Sequence, residues 1–138
     1  MIQFDNVSMR YESGHEALKR LSFHIEKNEM AFLTGHSGAG KSTLLKLIMM
    51  MERPTQGQVI VDNQNLNQLS RRHIPMHRRK IGVVFQNHQL LFDRTVFDNV
   101  ALPLIIAGYD HREIARRSRA ALDKVGLLNK EKMNPITL

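Results

Sequence analysis

The chain has 138 residues, 42% of them hydrophobic and 24% charged, the balance of a globular domain with room for a core. It has no cysteine, which excludes disulfides and thiolate metal sites and suits a cytoplasmic protein. Lys and Arg number 20 against 13 Asp and Glu, and the resulting charge of +7 is compatible with nucleic acid, an anionic membrane surface, or solubility alone.

No apolar run is as long as a membrane span; Ala101–Ala107 is the most apolar stretch, and it is short and holds Pro103. The start, Met1-Ile2-Gln3-Phe4-Asp5, lacks the basic and apolar segments of a signal peptide. Residues 2–8 alternate apolar and polar, as a half-buried strand does. Tyr11 follows, then the turn cluster Glu12–His15. Leu18, Leu21, Phe23 and Ile25 predict a second strand, with the last three on one face. Lys27–Glu29 forms a hairpin-like turn into Met30–Leu33, an apolar run expected to be a buried strand.

The next residues carry the chemistry. Gly35-His36-Ser37-Gly38-Ala39-Gly40-Lys41-Ser42 matches G-x-x-x-x-G-K-[ST], the phosphate-binding loop, and Leu44, Leu45, Leu47 and Ile48 predict the helix that should follow it. Gly35, Gly38 and Gly40 permit positive φ, so that successive N–H groups converge on an anion. A helix starting near Lys41 aims its positive end at the same point. Lys41 supplies a charge for the β and γ phosphates, Ser42 a hydroxyl for Mg²⁺, and Thr43 a hydroxyl near the α phosphate. His36, Ser37 and Ala39 lie within the loop, and His36 is expected to be a variable position and no catalyst.

Met49–Arg53 leads to Pro54, which ends helical continuation, and Gln58–Asp62 is expected to be a strand. Ser70 is placed to cap a short basic helix through about Lys80, with Pro75 near its start. Ile81–Phe85 reads as a strand buried on both faces, with Gln86 directly after it. Thr95 should cap a helix that Gly108 ends, and Asp110 a second, with Glu113 completing a capping box. That second helix should bury Ile114, Ser118, Ala121, Leu122 and Val125, and Gly126 should stop it. Leu127–Leu138 shows no strong element, and no internal repeat is present. The basic clusters Arg71-Arg72, Arg78-Arg79-Lys80 and Arg112–Arg119 mix with acidic and apolar residues at helical spacing, which favours solvated helix faces over a nucleic-acid stripe.

In this order of elements the chain resembles the nucleotide-binding domain of ATP-binding cassette (ABC) proteins. Phe32–Leu47 carries the likeness to the superfamily. Asp93–Gly108, with its Pro-Leu-Ile-Ile-Ala-Gly ending, and Ala121–Leu127 point to the branch that acts in bacterial cell division. The resemblance implies an α/β fold, a P-loop NTPase core left incomplete. The parts would be an antiparallel β flank (1–30), the P-loop core (31–86) and a helical portion after the Q-loop (87–138). It implies that Tyr11 stacks on adenine and that Gln86 contacts Mg²⁺ and senses a membrane partner. ATP and Mg²⁺ would be the cofactors. An integral membrane protein and a second copy of the ATPase subunit would be the partners, at the cytoplasmic face of the inner membrane, with no nucleic acid. The family's signature sequence would start near Leu138, and its metal-binding Asp, catalytic Glu and switch His would follow. No catalytic residue is therefore assigned, and the chain is expected to bind ATP without turnover. The family usually has a glycine near Met50, so that helix end should be lengthened or strained. Another ABC subunit, an amino-acid or lipid transporter ATPase, and a basic nucleic-acid binder stay open as alternatives.

Overall fold

The computed structural model describes all 138 residues, which form two compact units, Met1–Val83 and Val84–Leu138. The first unit is built on one antiparallel sheet. It contains β1 (Ile2–Arg10), β2 (Glu16–Ile25), β3 (Gln56–Val61) and the two-residue β4 (Gln64–Asn65), in the spatial order β2-β1-β3-β4. Helix α1 (Lys41–Ile48) and the short α2 (Ile74–Arg78) complete it.

The alternation in β1 is interrupted where the sequence alone could not show it. Asn6 takes φ 49°, and the pairing with β2 shifts between Phe4 and Val7. This bulge moves Val7 onto the same buried side as Phe4, although the two are three residues apart. Phe4 lies opposite Phe23 of β2 with ring centroids 4.7 Å apart, and Leu21, Phe23 and Ile25 share a face as expected. Phe4, Val7, Leu18, Leu44, Leu47, Val59 and Leu66 form the core, so α1 is packed through its apolar stripe.

Two expected strands do not form. Met30–Leu33 and Ile81–Phe85 have no ladder partner, and none of the four strands pairs with either. Phe32 is 86% exposed and Val84 98% exposed. Apolar character predicts where a segment can be buried, but a strand exists only when a neighbour takes its N–H and C=O groups. The basic helix expected from Ser70 to about Lys80 is also broken up. Residues 71–73 form a 3₁₀ turn, α2 spans five residues with Pro75 in its first turn, and the Ser70 hydroxyl bonds His73 Nδ1 at 2.8 Å instead of capping a backbone N–H.

The C-terminal end of α1 shows how the chain manages without the usual glycine. Met51 N–H donates to Lys46 O at 2.9 Å and Met50 N–H to Leu47 O at 3.1 Å, the Schellman arrangement, with Met50 in the left-handed position at φ 55°. The helix is not lengthened: it stops at Ile48. Three further donors hold the carbonyls there. His77 Nε2 lies 2.7 Å from Ile48 O, Arg78 Nε donates to Met49 O and Arg78 Nη2 to Met50 O, both at 2.9 Å. The Met50 side chain is itself buried.

The second unit contains α3 (Val96–Ile106) and α4 (His111–Lys124). Thr95 and Asp98 exchange hydrogen bonds at the start of α3, and Gly108, at φ 81°, follows its end, as the sequence predicts. Asp110 caps α4 by accepting Glu113 N–H at 2.9 Å, but the expected box is only half made. Glu113 turns to Arg116 and Arg117, whose hydrogen bonds hold its carboxyl at about 2, against an ordinary 4.5. What this adds to stability is present above the ordinary carboxyl value and lost as pH falls towards 2. Ile114, Ser118 and Leu122 are buried in α4, whereas Ala121 and Val125 are exposed, so the buried stripe is narrower than expected. No helix is long and apolar enough to cross a membrane.

Met50→Gly isolates the trade at the end of α1. Relief of the left-handed backbone returns about 1–2 kcal/mol, while losing a buried methionine costs about 2–5 kcal/mol. The variant is expected to be less stable by about 2 kcal/mol in urea denaturation, the difference of the two mid-values, and a gain in stability would show that backbone strain dominates.

Candidate nucleotide-binding site

The site lies in the first unit, between the end of β2 and the start of α1. Gly35, Gly38 and Gly40 all have positive φ, at 152°, 82° and 87°. At Gly40 the backbone also has no space for a side chain: a Cβ would stand 2.4 Å from Ala17 O and 2.8 Å from Leu18 Cδ2, both in β2. The sheet thus fixes where α1 begins.

That beginning has no protein cap. Gly40 offers no side chain, no side chain caps the N–H groups of the first turn, and the turn has no acidic residue. The first N–H groups of a helix have no intrahelical acceptor, so here they face outward together with the positive end of the helix dipole. Lys41 folds back into the loop, and its Nζ donates to Gly35 O at 2.6 Å and His36 O at 2.7 Å. Ala39 N–H donates to His36 O at 3.2 Å, and His36 Nδ1 lies 2.7 Å from Ser37 O. His36 therefore serves the loop's own geometry. Ser42 is exposed, while Thr43 is buried and its hydroxyl lies 3.0 Å from that of Tyr11.

The donor set suits phosphate. Amides, a helix end and an ammonium group are arranged around one loop, with no carboxylate among them. No group of three or more His, Asp or Glu converges anywhere, so a divalent cation here would rely on the Ser42 hydroxyl together with phosphate and water oxygens. A cavity of about 260 Å³ borders the loop, lined in part by Thr34, Ala39, Gly40 and Lys41. A larger cleft of about 670 Å³, lined by Asn63, Gln68, Ser70, His73 and Lys80, belongs to the same unit but contains none of the loop. Volume is a poor guide to a site that grips its ligand by backbone N–H groups, and the chemistry favours the loop.

The structure brings together Gly35, His36, Ser37, Gly38, Ala39, Gly40, Lys41, Ser42 and Thr43 in one loop and helix start, and adds Tyr11 through Thr43. Gln86 stands in the second unit, exposed in the bend Gln86–Asn87. The contact between Tyr11 and Thr43, 32 residues apart, is the feature the sequence did not announce.

The family profile described as ABC transporter matches residues 18–137. The chain belongs to the ABC transporter family. It is 56% identical, over its whole length, to the cell division ATP-binding protein FtsE of Escherichia coli K12, and covers 62% of that protein. It is 43% identical to the methionine import ATP-binding protein MetN of Aliivibrio fischeri, again over its whole length, and covers 41% of it. Among solved structures, a dimeric post-hydrolysis state of the ATP-binding cassette MJ0796 bound to ADP and Pi superposes on the whole chain with a TM-score of 0.89 at 34% identity, the chain covering 63% of it. The chain thus spans a little under two thirds of the FtsE protein it matches. The ABC cassette fold bears out the expected α/β, P-loop NTPase class.

The two loop glycines give separable predictions. Gly38 has open space around its missing Cβ, so Gly38→Ala meets only the left-handed backbone cost, about 1–2 kcal/mol. Gly40→Ala meets that cost and the Ala17 carbonyl. It is expected to lower stability clearly more than Gly38→Ala in parallel denaturation curves, and equal losses would show that β2 does not fix the start of α1.

Proposed function

We propose that this chain is the front part of one ABC nucleotide-binding domain and that it binds ATP with Mg²⁺. Residues 1–30 form its β flank, 31–86 its P-loop core and 87–138 its helical portion. The observation that carries this reading is the uncapped start of α1, with the Lys41 ammonium already inside the loop in front of it. The loop amides and Lys41 hold the phosphates. Within the first unit Ser42 is the residue that would hold Mg²⁺, whose charge would neutralise the phosphate oxygens. Tyr11 offers its ring to adenine. The parent protein is an ATPase, in which catalysis rests on positioning, charge stabilisation and an oriented water.

The likeness to FtsE, together with Asp93–Gly108, supports a role in bacterial cell division. The parent protein would act as a homodimer on an FtsX-type integral membrane protein at the cytoplasmic face of the inner membrane. The dimeric cassette among the structural neighbours supports the second copy. Leu90, Leu91 and Phe92 are exposed in the second unit and are the residues proposed to meet the membrane partner. A second reading, an importer ATPase, is supported by the likeness to MetN. The membrane partner that co-purifies with the parent protein separates the two. No nucleic acid belongs to either reading: Arg53 and Arg78 are engaged with backbone carbonyls, and Arg116, Arg117 and Arg119 with carboxylates.

Calorimetry with Mg-ATP tests the nucleotide site. Lys41→Ala is expected to weaken binding by about 1.5–3 kcal/mol, the worth of a charge-assisted hydrogen bond, and equal affinities would place the nucleotide elsewhere. Polar substitution of Leu90, Leu91 and Phe92 in the parent protein should abolish capture of the membrane partner and leave ATP affinity unchanged. Undiminished capture would remove those residues from the interface.

A further inference from the structure

Tyr11 and Thr43 are joined by their hydroxyls, Oη to Oγ1, at 3.0 Å. Thr43 is the third residue of α1 and is 7% exposed. The Tyr11 backbone is itself pinned, its N–H donating to His15 O at 2.9 Å and its carbonyl accepting Gly14 N–H at 2.8 Å. Its ring packs against the core of the first unit. Two rigid elements are therefore linked by one hydrogen bond at the edge of the phosphate loop.

Each hydroxyl has one proton and accepts through its lone pairs. A threonine in the first turn of a helix can turn its hydroxyl towards a backbone carbonyl or towards a ligand. If Thr43 gives its proton to Tyr11, it has none for a phosphate. If Tyr11 gives its proton to Thr43, the Thr43 proton is free, and the Tyr11 bond strengthens it as a donor. We propose that Tyr11 is a positioning residue as well as a ring for the base: its phenol proton orients the Thr43 hydroxyl towards the nucleotide's α phosphate and ties the tilt of the ring to the phosphate loop. Ring face and phenol oxygen then serve opposite ends of the same nucleotide. Binding at one end prepares the other, because the bond that aims Thr43 also holds the ring still.

This inference rests on the nucleotide-binding reading above, and Lys41→Ala controls for it. Tyr11→Phe keeps the ring and removes the proton. With Mg-ADP and Mg-ATP the expected loss of affinity is about fivefold to tenfold, the effect of one hydrogen bond. Inorganic pyrophosphate, which has no α phosphate attached to a nucleoside, should bind both forms alike. Thr43→Val should show the same selective loss, Thr43→Ser should restore most of the affinity, and the double variant Tyr11→Phe with Thr43→Val should lose no more than either alone. Three results would each overturn the proposal. One is unchanged ADP affinity in Tyr11→Phe. Another is equal loss of ADP and pyrophosphate, which marks general damage to the loop. The third is losses that multiply in the double variant. If Lys41→Ala is also without effect on every ligand, the nucleotide site itself is misplaced, and this inference falls with it.

Discussion

His77 and Arg78 close the C-terminal end of α1 on three successive carbonyls, and nothing in the protein closes the other end. A helix carries partial positive charge at its start and partial negative charge at its finish. Here the finish is neutralised by donors from α2 and by a Schellman turn, while the start is left uncapped behind a glycine that packs against β2. The helix cannot shift towards its own N-terminus without breaking the bonds at its C-terminus. Nor can it move sideways without driving Gly40 into the Ala17 carbonyl. The uncapped amides are thus held in a fixed place, and a fixed row of donors binds an anion more tightly than one that must first be ordered.

The lysine completes that arrangement at low cost to the fold. An ammonium group in a loop of this kind needs acceptors of its own, and Lys41 finds them in Gly35 O and His36 O. The same two contacts hold the loop in shape around the charge.

Much of this was legible in the sequence because it depends on neighbours along the chain. The phosphate loop, the caps at Thr95 and Asp110, and the stop at Gly108 all involve residues within a few positions of one another, and all appear where the spacing puts them. What depends on distant partners was not legible. Met30–Leu33 and Ile81–Phe85 have the composition of buried strands and lack the pairing that would make them strands. Met50 stands in a left-handed position with its side chain buried and its carbonyl bonded by Arg78, 28 residues away. Val7 faces the core because a bulge at Asn6 changes the parity of β1, and a local pattern of apolar residues does not show a bulge.

The same distinction explains why the family is easier to establish than the biological role. The loop and the start of α1 present donors that suit a phosphate, and phosphate chemistry is the same in complexes of different roles. Likeness over the whole chain is shared by FtsE, MetN and a solved cassette alike. The second unit differs in its surface. It exposes Leu90, Leu91 and Phe92, together with Ile105 and Tyr109 near the α3–α4 turn, and such residues answer to whatever covers them. Specificity for one membrane partner over another is a difference between two affinities, and it can be written only where the partners differ. An exposed apolar surface of this kind can differ between subunits with different partners, whereas a donor set that suits phosphate has no such reason to differ.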